Sequence, residues 1–131
     1  MLLRMRIYDT MSNTIRDLKL KDPSKVSIYA CGPTVQDVPH LGHARTALTY
    51  DVLKRYLVWA GFEVFLVSNI TDIDDKIINR ALDEGISEEE LAQKYANIHI
   101  EQLRNFGIKD PDERPRATQF IREMISIIEE L

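Results

Sequence analysis

The chain has 131 residues, of which 44% are hydrophobic and 29% charged, and its formal net charge is −4. This length and composition predict one globular domain, or a piece of a larger one, with enough apolar residues for a core. The acidic balance argues against a protein that coats nucleic acid through bulk charge, although an RNA partner held by a local patch stays open.

The sequence predicts neither a membrane protein nor a secreted one. No apolar run approaches the roughly 20 residues that cross a bilayer, and the start of the chain lacks the long apolar region and cleavage site of a signal peptide. The single cysteine cannot form an internal disulfide, which suits a reducing compartment. We therefore expect a cytoplasmic protein without a membrane partner.

The first predicted elements are two short strands. Residues 4–8 alternate weakly and predict a first strand, with a polar connection to about Ser24. Residues 26–31 are rich in β-branched and aromatic side chains and stop at Gly32-Pro33, which is typical of a buried strand ended by a turn.

A helix and a further strand complete a βαβ unit. Residues 42–60 lack Gly and Pro after the first position, Gly61 follows them as a cap, and residues 63–69 form an apolar strand. The helix repeats apolar residues at spacings of three and four: Ala44, Ala47, Leu48, Val52, Tyr56 and Ala60. Strand, helix and strand in this order predict parallel pairing with a right-handed crossover. Ligands then bind at the carboxyl ends of the strands, where residues 31–43 and 69–75 converge.

The remainder of the chain is predicted to be helical. The helices are expected over residues 72–82, from Ser87 to about Phe106, and over residues 117–131, with a charged loop over residues 110–116. Gly85 and Gly107 follow the first two of them, as glycines do at helix ends. The whole chain is therefore predicted to be α/β with a helical tail.

His40, Gly42 and His43 follow the first buried strand and open the helix. The N-terminus of a helix offers free backbone N–H groups and partial positive charge to phosphate, and glycine removes the side chain that would keep a ligand from the backbone. Two surface histidines are the plainer interpretation of the motif alone. The strand, turn and helix around it are the context that a phosphate site requires.

Cys31 lies at the end of the same strand, and three interpretations stay open from the residues alone. A lone cysteine is often a buried apolar residue. A catalytic nucleophile would need a base such as His40 or His43 beside it. A zinc ligand would need about three partners, and the neighbouring sequence supplies none at the spacing of a structural zinc site.

The third polar stretch runs from Thr71 to Lys76 and holds three aspartates. Its spacing lacks the glycine and distal glutamate of a calcium loop. The alternative is that the aspartates cap the next helix and stabilise its positive end. Thr71 and Asp72 are then the residues best placed for contact with a ligand.

Taken in order, these stretches resemble the catalytic domain of class I aminoacyl-tRNA synthetases, specifically the cysteinyl-tRNA synthetase family. A His-x-Gly-His motif alone is weakly specific, whereas the three stretches in sequence are strongly so. A weaker resemblance continues through residues 113–118, so that most of the chain is covered. The stretches are Cys31-Gly32-Pro33-Thr34-Val35, His40-Leu41-Gly42-His43-Ala44-Arg45 (the HIGH-type motif) and Asn69-Ile70-Thr71-Asp72-Ile73-Asp74-Asp75-Lys76.

The resemblance implies an enzyme that uses ATP with Mg²⁺ to convert L-cysteine to cysteinyl-adenylate, and then transfers cysteine to tRNA(Cys). His40 and His43 would be its catalytic pair, stabilising charge on the α-phosphate. ATP would bind His40, Gly42 and His43. Such catalysis works through positioning and electrostatics, without a protein nucleophile.

The resemblance also implies how cysteine is recognised. Gly32 and Thr71 match family positions that contact the bound cysteine. Cys31 matches one of four zinc ligands, with the other three expected beyond residue 131. The zinc would take the substrate thiolate as a ligand, because a soft thiolate suits zinc far better than a serine hydroxyl does.

The fold implied is the N-terminal half of a Rossmann-type (HUP-like) parallel sheet over residues 1–86, with a helical extension over residues 87–131. Gln36 departs from the family pattern where an aromatic is usual, and Ser68 where a basic residue is usual. The lysine-rich KMSKS loop and the anticodon-binding domain are also expected beyond residue 131, in the missing C-terminal part of the same protein. The chain alone is therefore expected to be inactive.

Two other functions stay open at this point. One is the related ligase that joins cysteine to an amino sugar through the same adenylate. The other is a stand-alone, non-catalytic nucleotide-binding or interaction module derived from the synthetase. The segments Pro33-Thr34-Val35 and Ala44-Arg45-Thr46 favour the tRNA enzyme over the sugar ligase.

Overall fold

The computed structural model describes residues 5–131 and begins with a β-hairpin. Strand β1 (Arg6–Asp9) pairs antiparallel with β2 (Thr14–Asp17), and Asn13 adopts a positive φ of 52° in the turn between them. The prediction of a first strand is confirmed, except that position 4 of it lies outside the described residues. The prediction of a polar connection up to Ser24 is wrong, because β2 lies within it. Every residue of β2 is exposed, so no apolar pattern marked this strand.

The predicted βαβ unit is confirmed. Strand β3 (Lys25–Ala30) and strand β4 (Glu63–Ser68) pair in parallel, with Lys25 opposite Glu63 and Ala30 opposite Ser68. Helix α1 (Leu41–Trp59) connects them. Ala60 is its C-cap, and Gly61 takes a φ of +92° one position later. That left-handed conformation, which glycine adopts without strain, ends the helix and turns the chain into β4.

Residues 112–117 lie along the outer edge of β4 and extend the sheet. The Ser68 N–H donates to the Glu113 carbonyl at 3.0 Å, and the Ile70 N–H donates to the Pro115 carbonyl at 2.8 Å. Their bridges to β4 and to the segment after it are parallel. The prediction of a charged loop was therefore incomplete. Proline lacks an N–H but its carbonyl still accepts, so Pro115 is compatible with an edge position.

Three further helices follow β4. They are α2 (Asp75–Glu84), α3 (Glu88–Asn105) and α4 (Ile121–Glu130), and a short 3-10 helix (Ala117–Phe120) precedes α4. Helix α2 begins at residue 75, three residues after the predicted start at residue 72. Within the described part of the chain, no helix is long and apolar enough to cross a membrane.

The main core cluster lies between α2 and α3 and the turns that follow β3 and β4. Its members are all less than 9% exposed: Val35, Ile70, Ile77, Ala81, Leu91, Ala92, Tyr95 and Ala96. This cluster holds the two turns in place, and these turns carry the polar stretches that the sequence predicted to converge.

The predicted apolar face of α1 is wrong for its larger residues, whereas Ala44, Ala47 and Ala60 are partly buried. Leu48, Val52 and Tyr56 are 47%, 55% and 41% exposed, whereas Asp51 and Leu57 are buried. Apolar residues occur on both sides of this helix, so the spacing alone did not identify the side that packs on the sheet. Arg55, one turn later, pairs with the buried Asp51 carboxylate at 2.7 Å, which offsets the cost of burying its charge.

Candidate functional site

A cavity of about 590 Å³ opens at the carboxyl ends of β3 and β4. The parallel pairing brings both strand ends to this edge of the sheet, as the sequence predicted. Gly42 and Thr71 do not line the cavity. Four of the six predicted site residues do: Cys31, Gly32, His40 and His43.

His40 and His43 form a reciprocal cap at the start of α1. The Gly42 N–H donates to His40 Nδ1 at 3.1 Å, and the His40 N–H donates to His43 Nδ1 at 3.2 Å. The two rings stack with centroids 4.0 Å apart and an interplanar angle of 28°. Because each Nδ1 is an acceptor, each neutral ring carries its proton on Nε2. The site therefore offers two Nε2–H donors at the cavity.

The backbone of this helix start is already hydrogen-bonded, which corrects part of the phosphate prediction. The Gly42 N–H is taken by the His40 ring, and the His43 N–H donates to the His40 carbonyl at 2.9 Å. The imidazoles, rather than these N–H groups, present donors to the cavity. A Cβ on Gly42 would come within 2.8 Å of His40 Cε1, so this glycine makes room for the capping ring. That it also leaves room for a nucleotide stays a prediction.

His99, on α3, joins this pair and was missed by the sequence reasoning. It is 8% exposed, and its ring centroid lies 5.9 Å from that of His43 at an interplanar angle of 75°. Burial lowers the pKa of His99 to about 4, with smaller contributions from His43 and Arg114. Burial also lowers the pKa of His43, as does His40. All three histidines of the sequence therefore lie in one series of neighbouring rings. Its place on the buried face of α3 was the only signal in the sequence.

Cys31 is exposed and lines the cavity, so the interpretation as a buried apolar residue is wrong. Its thiol lies 3.8 Å from the Gly32 carbonyl oxygen. The Nδ1 atoms of both neighbouring histidines serve the helix cap instead of a thiol, which does not support a nucleophile. Across residues 5–131 no three His, Cys, Asp or Glu side chains are grouped so that they could hold a metal ion. The residues present therefore do not form a zinc site by themselves.

Asn69 connects the two residues predicted to contact cysteine. Its Oδ1 accepts from the Gly32 N–H at 2.8 Å and from the Tyr29 hydroxyl at 3.0 Å, and its Nδ2 donates to Thr71 Oγ1 at 3.3 Å. The Thr71 N–H also donates to the Pro33 carbonyl at 3.0 Å. Asn69 therefore fixes the two turns against each other. The sequence reasoning gave it no role, because two of its partners, Tyr29 and Gly32, lie far from it in the chain.

The aspartates of the third stretch have separate structural roles. Asp74 is the N-cap of α2 and accepts from the Lys76 N–H at 2.9 Å, as the capping alternative predicted. Asp72 is 8% exposed and accepts from the N–H and the hydroxyl of Thr118 at 3.0 and 2.7 Å. Asp72 does not line the cavity at the strand ends. These bonds attach the short 3-10 helix to the segment after β4. Asp72 therefore has a structural role and does not contact a ligand in this cavity.

Both departures from the expected pattern, Gln36 and Ser68, line the cavity. Gln36 Oε1 is buried without a hydrogen-bond partner. Three cations, Lys76, Lys109 and Arg114, lie at the same cavity, and Arg114 is paired with Asp110 at 2.9 Å. The cavity therefore combines imidazole donors, a thiol and positive charge.

Comparison with known proteins places the chain in a family. The family model described as "tRNA synthetases class I (C) catalytic domain" matches residues 17–131. A protein of Thermodesulfovibrio yellowstonii named cysteine–tRNA ligase is 47% identical over 127 residues, which are 97% of this chain and 26% of that protein. Proteins of the same name from Thermococcus gammatolerans and Trichormus variabilis are 43% and 41% identical over 98% of the chain and 27% of their own length. The chain thus spans about a quarter of the length of these relatives.

Proposed function

The chain belongs to the class I cysteinyl-tRNA synthetase family, and from this premise we propose that it carries the HIGH-type, ATP-binding half of an adenylate-forming site. In the reaction, a carboxylate oxygen of L-cysteine attacks the α-phosphorus of MgATP, pyrophosphate leaves, and cysteinyl-adenylate forms. The cysteinyl group then passes to tRNA(Cys) with release of AMP. These substrates are proposed for the whole enzyme, of which this chain would supply one part.

The reciprocal histidine cap is the observation that carries the proposal. It fixes two Nε2–H donors at the cavity, and such donors stabilise the negative charge that builds on the α-phosphoryl oxygens as the carboxylate attacks. Donors held in place before the reaction need no reorganisation during it. The lowered pKa of His43 favours a neutral ring, which keeps Nδ1 free to accept from the cap.

Cysteine would bind across the turns that follow β3 and β4. We propose Gly32 and Thr71 as its contacts, with Asn69 holding these two residues at a fixed separation. Cys31 would be one ligand of a zinc ion whose other ligands come from outside this chain. When bound, that zinc would supply a thiolate-selective contact. The exposure of Cys31 at the cavity supports this role.

We propose that β3, α1 and β4 form the first half of a Rossmann-type (HUP-like) sheet. Their parallel order and the cavity at their carboxyl ends support this proposal. The division into residues 1–86 and 87–131 stays a proposal about family regions. The core cluster takes residues from both sides of that boundary, so the two regions share one core.

A chimeric enzyme tests the proposed function. Residues 1–131 would replace the matching segment of the Thermodesulfovibrio yellowstonii ligase, and cysteine-dependent ATP–pyrophosphate exchange and tRNA(Cys) charging would be measured. We expect the chimera to be active and the chain alone to show no exchange. His43→Ala in the chimera should lower kcat at least about 100-fold, the usual effect of removing one such donor. The exposed Gln93→Ala, on α3, is the control.

Three outcomes would overturn parts of this proposal. A folded chimera without exchange would exclude the adenylate-forming role. Exchange by the chain alone would exclude the claim that it holds half of a site. Transfer of cysteine to an amino sugar instead of tRNA(Cys) would identify the related sugar ligase.

A further inference from the structure

His99 is a buried histidine that the proposed adenylate chemistry does not use. Its side chain comes from α3, far along the chain from His40 and His43, and reaches the same cavity. It is 8% exposed, and its ring meets that of His43 nearly edge to face, with centroids 5.9 Å apart. Edge-to-face packing of this kind is a favoured and directional contact between rings.

We propose that His99 is a positioning residue for the His40–His43 pair, a role that rests on the proposed nucleotide-binding function of that pair. The cap requires Nδ1 of His43 to accept from the His40 N–H. If the His43 ring flipped, or took the other tautomer, Nδ1 would no longer be that acceptor. Packing against the His99 ring restricts both the rotation and the tilt of His43. His99 thereby keeps the Nε2–H of His43 directed to the ligand.

The support that His99 provides is itself rigid. Tyr95 and Leu103 lie one turn before and one turn after His99 on α3, and both are buried. Tyr95 belongs to the core cluster between α2 and α3. The ring of His99 therefore extends from a well-packed helix, which a side chain on a surface loop would not provide.

The charges around His99 favour its neutral form. His43 faces it from α1, and Arg114 faces it from the segment after α3. The other histidine and charged residues that line the cavity are Asp37, His40, Asp51, Lys76 and Lys109. Burial is the largest cause of its lowered pKa, and the charges of His43 and Arg114 act in the same direction. A neutral ring can pack on His43 without repelling it.

The geometry does not favour a metal site as the reason for this cluster. The Nδ1 atoms of His40 and His43 are both hydrogen-bond acceptors in the cap. No three potential ligands are grouped to hold a metal ion in the part of the chain that the structure describes. Ring packing is therefore the contact that His99 supplies.

The test is a pair of variants, His99→Phe and His99→Leu, compared with the unchanged chain. Phe keeps a ring edge against His43 and Leu removes it. Nitrogen-15 NMR of the labelled imidazoles would report the tautomer of His43 without ligand, and a titration with MgATP would report binding. In the unchanged chain and in His99→Phe we expect the Nε2–H tautomer. In His99→Leu we expect a mixture of tautomers and MgATP binding weakened by about fivefold.

The outcomes separate this inference from the proposed function. If His99→Leu keeps the tautomer and the MgATP affinity of the unchanged chain, the positioning role is wrong. If His99→Leu does not fold, His99→Phe decides, since loss of the His43 tautomer in that folded variant would contradict a ring-packing role. If the unchanged chain does not bind MgATP, the proposed function fails while the tautomer comparison still decides the role of His99.

Discussion

Gly32 lies where the backbone after β3 passes directly against the backbone after β4. Its N–H donates to Asn69 Oδ1 at 2.8 Å, and a Cβ at this position would overlap the Asn69 carbonyl. The two turns meet backbone to backbone, so neither can move away without breaking hydrogen bonds. The glycine is therefore required for space, and the contact proposed for the substrate comes in addition to that requirement.

Gly32→Ala should lower the free energy of unfolding by about 3 kcal/mol or more, because the added methyl group overlaps backbone. Gly61→Ala is the matched control. Nothing lies within 4 Å of a Cβ there, and only the φ of +92° opposes the change, which costs about 1 kcal/mol. Urea unfolding of the two variants measures the difference. Equal losses would show that the turns at Gly32 can separate.

His99 also makes the stability of the chain depend on pH. Its pKa is about 4 in the folded chain and about 6.5 when unfolded. The unfolded state therefore binds more protons between these values. The contribution of His99 to the free energy of unfolding is fully present above about pH 6.5 and is lost as the pH falls toward 4. The full loss is about 3 kcal/mol. The lowered pKa of His43 adds a loss of the same sign.

Urea unfolding at several pH values between about 7 and 4.5, for the unchanged chain and His99→Phe, checks this prediction. We expect a steeper decline in the unchanged chain. Glu84, whose pKa Lys94 and Arg80 lower to about 2, also loses its stabilising effect as the pH falls below its unfolded pKa, but this loss is the same in both proteins and cancels in the comparison. Parallel profiles for the two proteins would contradict the buried, neutral histidine.

The sequence could predict the site residues that lie in local motifs. His40, His43 and Cys31 were found because each follows a recognisable strand end or opens a helix. His99 and Asn69 were not assigned roles, since their importance depends on contacts between segments distant in the chain. Periodicity places a residue on a buried face, but it does not identify the partner that this face meets.

At the scale of elements, the clearest predictions had both a pattern and an end signal. Gly61, Gly85 and Gly107 all take positive φ where α1, α2 and α3 end. Strand β2 had neither signal. A single helix was predicted over residues 117–131, but its first four residues form the short 3-10 helix, and α4 begins only at Ile121.

Asp72 should contribute more to stability than an ordinary helix-capping residue. Its buried carboxylate accepts two hydrogen bonds from Thr118, and bonds to a charged acceptor are worth about 1.5–3 kcal/mol each when a partner is lost. Asp72→Ala should lower the free energy of unfolding by about 3 kcal/mol. Asp75→Ala, exposed in the first turn of α2, should lower it by less than about 1 kcal/mol.

Urea unfolding of these two variants is the measurement. Hydrogen exchange adds a local readout, since the amide of Thr118 should lose protection in Asp72→Ala alone. Equal stability losses, or a Thr118 amide that stays protected, would show that the tail is held by other contacts.

At the scale of the molecule, the parallel sheet of β3 and β4 is covered by other side chains on one face only. Along β3 and β4, Val26, Ala30 and Leu66 are buried, whereas Tyr29 and Phe65 on the opposite face are 66% and 46% exposed. Parallel sheets are normally covered on both faces. The sequence predicted buried strands because their residue types are apolar, and residue type does not report whether a second layer is present.

Helix α4 carries a second exposed apolar surface. No residue of α4 is buried, and Ile121, Met124, Ile125 and Ile128 repeat at spacings of three and four, as on one side of a helix. These side chains are between 41% and 70% exposed. Contiguous exposed apolar side chains promote association between protein molecules.

We therefore predict that the chain self-associates, with a sedimentation coefficient that rises with protein concentration. Ile125→Lys places a charge in the apolar stripe and should reduce the association, without lowering the free energy of unfolding, because residue 125 is already half exposed. Ser126→Lys is the matched control, since it adds the same charge at the next, exposed position of α4. Equal effects of the two variants would attribute the change to net charge alone. A wild-type chain that sediments as a monomer at every concentration would contradict the prediction.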